Sequence, residues 1–146
     1  MLDYPKNKTI DDSITFKYVY ASLANGRPAQ HRYDFTKKLF ANNLEQHGKV
    51  SLVKMDGGDN DFNKKLPITY DNAQNGYLKD TENHLCSDAF VWISNESYID
   101  PRLPMFSEKT IRALHYRRPF IINGDYNLLA SLKALGFKTF SAVSYT

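Results

Sequence analysis

The sequence predicts an α/β fold of the Rossmann-like kind, a parallel sheet with helices on both faces. Three observations carry that expectation. Short runs rich in β-branched and aromatic residues alternate with helix-patterned segments, those runs are apolar throughout, and Gly or Pro marks the joints between them. Continuous apolar runs suit strands buried on both faces, and strand–helix alternation feeds a parallel sheet.

Residues 1–13 are polar and read as a loose lead-in to a single domain spanning 1–146. "ITFKYVYASL" (14–23) reads as a buried strand. "ANGRPAQ" supplies Gly and Pro for a tight connection. Tyr33, Phe40 and Leu44 recur at helical spacing within 31–48, with Leu39 beside them, and Gly48 offers a C-terminal cap. "KVSLVK" (49–54) follows as a short strand. The stretch from Met55 to Cys86 carries few periodic apolar residues, so it is expected to be either functional or partly disordered.

"DAFVWISN" (88–95) is the strongest strand pattern in the chain. Ser107 can cap a helix over 108–117, with Ile111 and Leu114 turned inward. "PFIIN" (119–123) is a continuous apolar strand, and Gly124 opens the next turn. Leu128, Leu129, Leu132 and Leu135 make one apolar stripe on a helix ending at Gly136. "FKTF" (137–140) is a last short strand. Ligands in such sheets sit beyond the carboxyl ends of the strands, near helix starts. Residues 24–32, 94–109 and 123–127 fall at that edge.

Composition narrows the classes. A chain of 146 residues can bury a proper core, and ten Tyr, nine Phe and 24% charged residues describe a globular protein. The net charge of +3 admits an anionic ligand without arguing for a nucleic-acid scaffold. Cys86 is the only cysteine, so no intrachain disulfide forms and the thiol suits a reducing compartment. The polar start "MLDYPKNKTIDDS" is no signal peptide, and no apolar run is long enough to span a membrane. A cytoplasmic protein is expected.

Glu108 and Lys109 stand in the first turn of a helix, where the dipole and free N–H groups favour an anion. Lys109 adds a mobile positive charge there, and a carboxylate can accept hydrogen bonds from a ribose diol. The pair suits a nucleoside diphosphate; equally, Glu108 complements the dipole and Lys109 is solvated. Arg27, His31 and Arg32 lie at the same edge, and Arg binds phosphate bidentately. Against this stands a plain solvated basic turn, with His31 as a packing residue. Asn95, Glu96 and Ser97 end the strongest strand, although Asn and Ser are also ordinary turn residues.

Other patterns are weaker. Glu96 and Glu108 do not match the E-x7-E spacing of many retaining glycosyltransferases. "DND" (59–61) fits a D-x-D metal pattern that any acidic loop can produce. An EF-hand counted from Asp59 fails at Lys64 and Tyr70. The histidines lack metal-ligand spacing, and Walker A, G-x-G-x-x-G and G-x-S-x-G are missing from the sequence. "HYRRP" (115–119) could meet nucleic acid or be the usual cation-rich helix end.

The segment "AFVWISNESYIDPRLPMFSEKTIRALHYRRPFIING" resembles the donor-binding part of the α-1,3-fucosyltransferase-like glycosyltransferases. There a strand leads through a polar turn to a "TEK" or "SEK" helix and a "G-x-P-hydrophobic" strand. The chain is more similar still to a group of uncharacterised phage and bacterial proteins related to them, through "RPAQHR" and "LKALGFKTF". The resemblance covers roughly residues 16–140 and is most specific in "SEKT…PFII…LGFKTF".

It implies one half of a GT-B architecture, with the nucleotide sugar bound mainly to the C-terminal half and no metal required. Carried over, Glu108 would contact the donor ribose and Lys109 the diphosphate. Arg32 or Arg27 would match a phosphate-binding arginine. His31, Asn95, Glu96 and Ser107 complete the expected donor site. The chain departs from the pattern in three ways. Arg118 replaces a small residue before "PF", the acidic stretch after "TF" is missing, and 146 residues leave room for one Rossmann-like half. No position matches the general base, a carboxylate that the family carries in its acceptor half.

The leading expectation is therefore a glycosyltransferase-like domain that binds a GDP- or UDP-sugar, without cofactor or metal, and transfers the sugar to an acceptor hydroxyl. A homodimer or a second chain would supply the acceptor half. The competing expectation is a non-catalytic nucleotide-binding or protein-interaction module. Behind these stand a metal-dependent transferase using Asp59 and Asp61, and then a DNA-binding module.

Overall fold

A computed structural model describes residues 15–24, 28–68, 88–100, 102, 105–115 and 118–138. Its elements run β1 (Tyr18–Ala24), α1 (Gln30–Ala41), β2 (Gly48–Leu52), α2 (Asn60–Asn63), β3 (Ala89–Asn95), α3 (Glu108–His115), β4 (Phe120–Asn123) and α4 (Leu128–Ala134). The four strands form one sheet in the order β2-β1-β3-β4, with every pairing parallel. The fold is α/β and Rossmann-like, as the alternation of strand and helix patterns predicts. No helix among the described residues is long and apolar enough to cross a membrane.

The chain leaves β1 in one direction to reach β2, while β3 and β4 lie on its other side. Right-handed crossovers then set α1 and α3 on opposite faces. Leu39 of α1 packs with Tyr20, Val50 and Ile93 on one face. Tyr33 and Phe62 extend that layer over Ala24 and Leu52. Residues alternate across a strand, so Lys49, Ser51, Trp92 and Ser94 point to the opposite face and are buried there.

Several boundaries differ from the sequence expectation. The first helix ends at Ala41 rather than Gly48. Asn43 takes a left-handed φ of 54°. Leu44 N–H then bonds back to Leu39 O, and Asn43 N–H to Phe40 O, which is a Schellman stop built on Asn. Gly48 instead opens β2 in extended conformation. It is needed there for space, because a Cβ would lie 2.4 Å from Cζ of Tyr20.

Ile111 is 52% exposed, and the inward positions of α3 are Thr110 and Ala113. Small side chains let this helix approach the sheet closely. The leucine stripe also splits: Leu128 and Leu132 are buried, whereas Leu129 and Leu135 are exposed. Gly136 does end that helix, at φ 89°. β4 is the outer strand among those described and is only half-buried. Phe137 and Lys138 are not in a strand. Thr139 and Phe140 lie outside the described residues, as do residues 69–87 of the long central stretch.

Candidate functional site

The strand order reverses between β1 and β3, the position where doubly wound sheets open a crevice beyond the carboxyl ends of their strands. The turn after β3 supplies Glu96 and Ser97 to that edge, α1 brings His31 and Arg32, and α3 brings Ser107, Glu108 and Lys109. Arg27 lies outside the described residues. The other seven residues expected at the site come together.

Arg32 is buried at 2% exposure, and its Nε and Nη2 donate to the turn after β3. Its Nη2 donates to Asn95 O at 2.9 Å, and its Nε to Glu96 O at 3.0 Å. His31 Nε2 meets the same Glu96 oxygen at 2.8 Å. A carbonyl only accepts, so His31 carries its proton on Nε2 when neutral. Burial lowers the His31 pKa; the Glu96 carbonyl opposes that effect without cancelling it. Burial also lowers that of Arg32, against the pull of Glu108 and Glu96.

Glu96 is almost fully buried and serves the start of α3 from a distance. Its Oε2 accepts from Ser107 N–H at 2.9 Å, and Oε1 accepts from the Thr110 hydroxyl. A helix start leaves N–H groups without intrahelical partners, and here a carboxylate from another element satisfies one of them. Gly124 makes room for it, since a Cβ there would stand 2.9 Å from Cγ of Glu96. Ser107 acts as the expected cap, accepting from Lys109 N–H at 3.3 Å.

Asn95 points into the sheet rather than outward. Its Nδ2 donates to Ser22 Oγ at 3.0 Å and its Oδ1 accepts from Asn123 Nδ2 at 2.8 Å. This amide chain ties the ends of β1, β3 and β4.

Ser97 Oγ is the meeting point. It accepts from Arg32 Nη2 at 3.2 Å and from Lys109 Nζ at 3.1 Å. Two cations thus converge on one neutral oxygen. Lys109 Nζ also donates to the Glu108 carboxylate. An ammonium has three donors, and the third has no acceptor among the described residues. Burial raises the Glu108 pKa, but the hydrogen bond and charge of Lys109, with Arg32 behind it, outweigh that and hold the carboxyl below its usual value. Glu108 is more than half exposed, so it can swing off Lys109 at little cost.

The chain matches no protein-family model, no curated protein and no solved structure. The site therefore rests on its own geometry.

Beside the cluster, Tyr98, Asp100, Met105 and Asp125 line a cavity of about 200 Å³. Asp125 is buried, and its Oδ1 accepts from Asn127 N–H at 2.7 Å. A larger apolar hollow of about 420 Å³ lies against β4 and α4, lined by Leu114, Phe120, Ile122 and Phe137 among others.

Sequence reasoning missed Thr110, Asn123 and Ser22, along with this small cavity. A polar residue closing an apolar strand marks Asn123, and the residue after Gly124 falls within the predicted edge. Nothing local marks Thr110 as the partner of Glu96.

The other weak patterns resolve into structure. Asp59 caps α2, accepting from Asp61 N–H and Phe62 N–H, and pairs with Lys37, while Asp61 pairs with Lys64. No group of three His, Cys, Asp or Glu among the described residues could hold a metal ion. Arg118 lies over the Phe16 ring at 4.9 Å, so part of the basic run is engaged in packing.

Proposed function

We propose that this domain binds a nucleoside diphosphate sugar at the β1/β3 edge, with Lys109 at the diphosphate and Glu108 at the ribose. The observation that carries the reading is the convergence of Arg32 and Lys109 on Ser97 Oγ. Holding two cations around one uncharged oxygen is unfavourable unless anions share the site. The protein supplies Glu96 and Glu108, of which only Glu108 can move away. A diphosphate would replace it on Lys109 and free its carboxylate for a sugar diol. Arg32 would then act through its charge, because its Nε and Nη2 already donate to the Glu96 and Asn95 carbonyls and to Ser97 Oγ.

As a transferase, the domain would have an acceptor hydroxyl attack the anomeric carbon while a carboxylate removes its proton. Lys109 would neutralise the departing diphosphate. A second reading is a nucleotide-binding module without turnover. It is favoured by Glu96, which already holds the start of α3 as an anion would.

A thermal-shift panel with GDP, UDP, ADP and CDP and their sugars, with and without Mn²⁺, tests both. Saturating ligand at 100 times its dissociation constant stabilises by ~2.7 kcal/mol. One nucleotide should bind without metal, and Lys109→Ala should abolish the shift. No shift at millimolar ligand contradicts both readings, whereas binding without sugar transfer to any acceptor supports the second.

A further inference from the structure

We propose that His31 is the general base that takes the proton from the attacking hydroxyl. This rests on the diphosphate reading of Lys109 given above and puts an imidazole where that reading put a carboxylate. The first support is the tautomer. The Nε2–H is held on Glu96 O at 2.8 Å, so the neutral ring carries its lone pair on Nδ1. Nδ1 has no hydrogen-bond partner among the described residues, and the ring is half-buried rather than enclosed. A base oriented through one nitrogen and open at the other is the arrangement that activates a hydroxyl.

Position is the second support. His31 is anchored on the carbonyl of Glu96, and Lys109 on the hydroxyl of Ser97, the next residue of the same turn. Arg32 joins the two anchors, with Nε on Glu96 O and Nη2 on Ser97 Oγ. The base and the cation assigned to the diphosphate are thus tied to consecutive residues.

The third support is that the acids of this edge are otherwise engaged. Both oxygens of the buried Glu96 carboxylate accept hydrogen bonds, from Ser107 N–H and the Thr110 hydroxyl. Burial acts to raise the Glu108 pKa, but its bond to Lys109 outweighs that and keeps it low. The hydrogen bonds from Arg102 lower that of Asp100. A general base works best with a pKa near the operating pH. Burial lowers that of His31, and Arg32 adds to this; the Glu96 carbonyl and the charges of Glu96 and Asp34 oppose it. The ring is therefore a free base at neutral pH, and those opposing groups stabilise it once protonated.

In the step, Nδ1 takes the hydroxyl proton as the hydroxyl oxygen bonds to the anomeric carbon. The bond from that carbon to the β-phosphate oxygen breaks, and the diphosphate leaves with the electron pair beside Lys109. The proton on His31 then passes to solvent.

Nucleotide release from GDP- and UDP-hexoses, with water as the acceptor, tests the assignment in wild type and in His31→Gln. Gln keeps an N–H for Glu96 O and removes the base. Release should slow by ~10²–10⁴-fold, with the calorimetric Kd for the bare nucleoside diphosphate unchanged. In the wild type, kcat/KM should rise with pH through a pKa below 6.5 and then level off. Nitrogen-15 NMR of the wild-type imidazole should show the Nε2–H tautomer with the same pKa, a readout independent of how the variant folds. Undiminished release in His31→Gln, a rate flat between about pH 5 and 8, or a neutral ring protonated on Nδ1 overturns the assignment. Wild type that binds nucleotide without releasing it from the sugar overturns it as well, while leaving the diphosphate site intact. Nucleotide affinity that rises on acidification only when His31 is present makes the residue a phosphate donor instead. Failure of every nucleoside diphosphate to bind the wild type overturns the diphosphate reading, and the base falls with it.

Discussion

The α3 helix begins with Ser107 as its cap, Glu108 at its first position and the buried Glu96 carboxylate on its backbone. The α1 helix starts on the same edge of the same sheet from Ala29, with no side-chain cap and no acid in its first turn. It carries His31 and Arg32 there instead. One helix start is electrostatically complete and the other is open. The lesson is that position at the strand ends does not by itself make an anion site. The sequence pattern pointed to the start of α3, but the protein has already set an anion of its own there. What remains for a ligand is the third donor of Lys109, in a field shaped by Arg32 and the uncapped end of α1.

The largest expected effect breaks the tie between the two helices. Arg32→Ala leaves Asn95 O and Glu96 O without a charged donor and the buried Glu96 carboxylate without its neighbouring cation. Stability in urea unfolding should fall by about 3–5 kcal/mol, as when one partner of a buried charged pair is removed. A loss below ~1 kcal/mol would mean that Arg32 is not the staple described.

How much of this was legible in the sequence follows from the range over which each feature is determined. "DAFVWISN" and the Ser107 helix start are local patterns, and both formed nearly where expected. Tyr33 and Leu39 do face the core. The end of α1 was misread because Gly48 is the more conspicuous breaker, while Asn43 adopts the left-handed turn earlier. The inward face of α3 was misread because hydrophobicity favours Ile111 and Leu114. Close packing favours the small Thr110 and Ala113. Arg32 looked like a phosphate ligand from its neighbours in sequence; that its hydrogen bonds go to residues more than sixty positions away is a tertiary fact.

A smaller effect sharpens the contrast by making α1 resemble α3. Ala29→Asp supplies the missing cap and should add ~0.5–1 kcal/mol of stability. The same substitution introduces a negative charge beside the open helix start, so nucleoside diphosphate affinity should drop. Gain of stability with unchanged affinity would show that the ligand does not sense the α1 terminus.

The mildest probe is pH. The folded pKa of His31 lies below its ordinary 6.5 and that of Glu108 below its ordinary 4.5. Both are depressed groups, so each contributes stability that is present above the unfolded value and is lost as pH falls through the folded one. Stability should decline first on acidification below pH ~6.5 and again below pH ~4.5. His31→Gln should remove the first decline and leave the second. A pH profile unchanged by that substitution would assign the first decline to another group.

The central claim is that Lys109, beside Arg32 at Ser97, receives a diphosphate. Phosphorus NMR of GDP and UDP titrated with wild-type protein and with Lys109→Ala reads that contact at the atoms concerned. The account predicts that the β-phosphate resonance of one nucleotide shifts and broadens with wild type and stays at its free position with Lys109→Ala. Identical β-phosphate spectra with the two proteins, whether shifted or not, would contradict it.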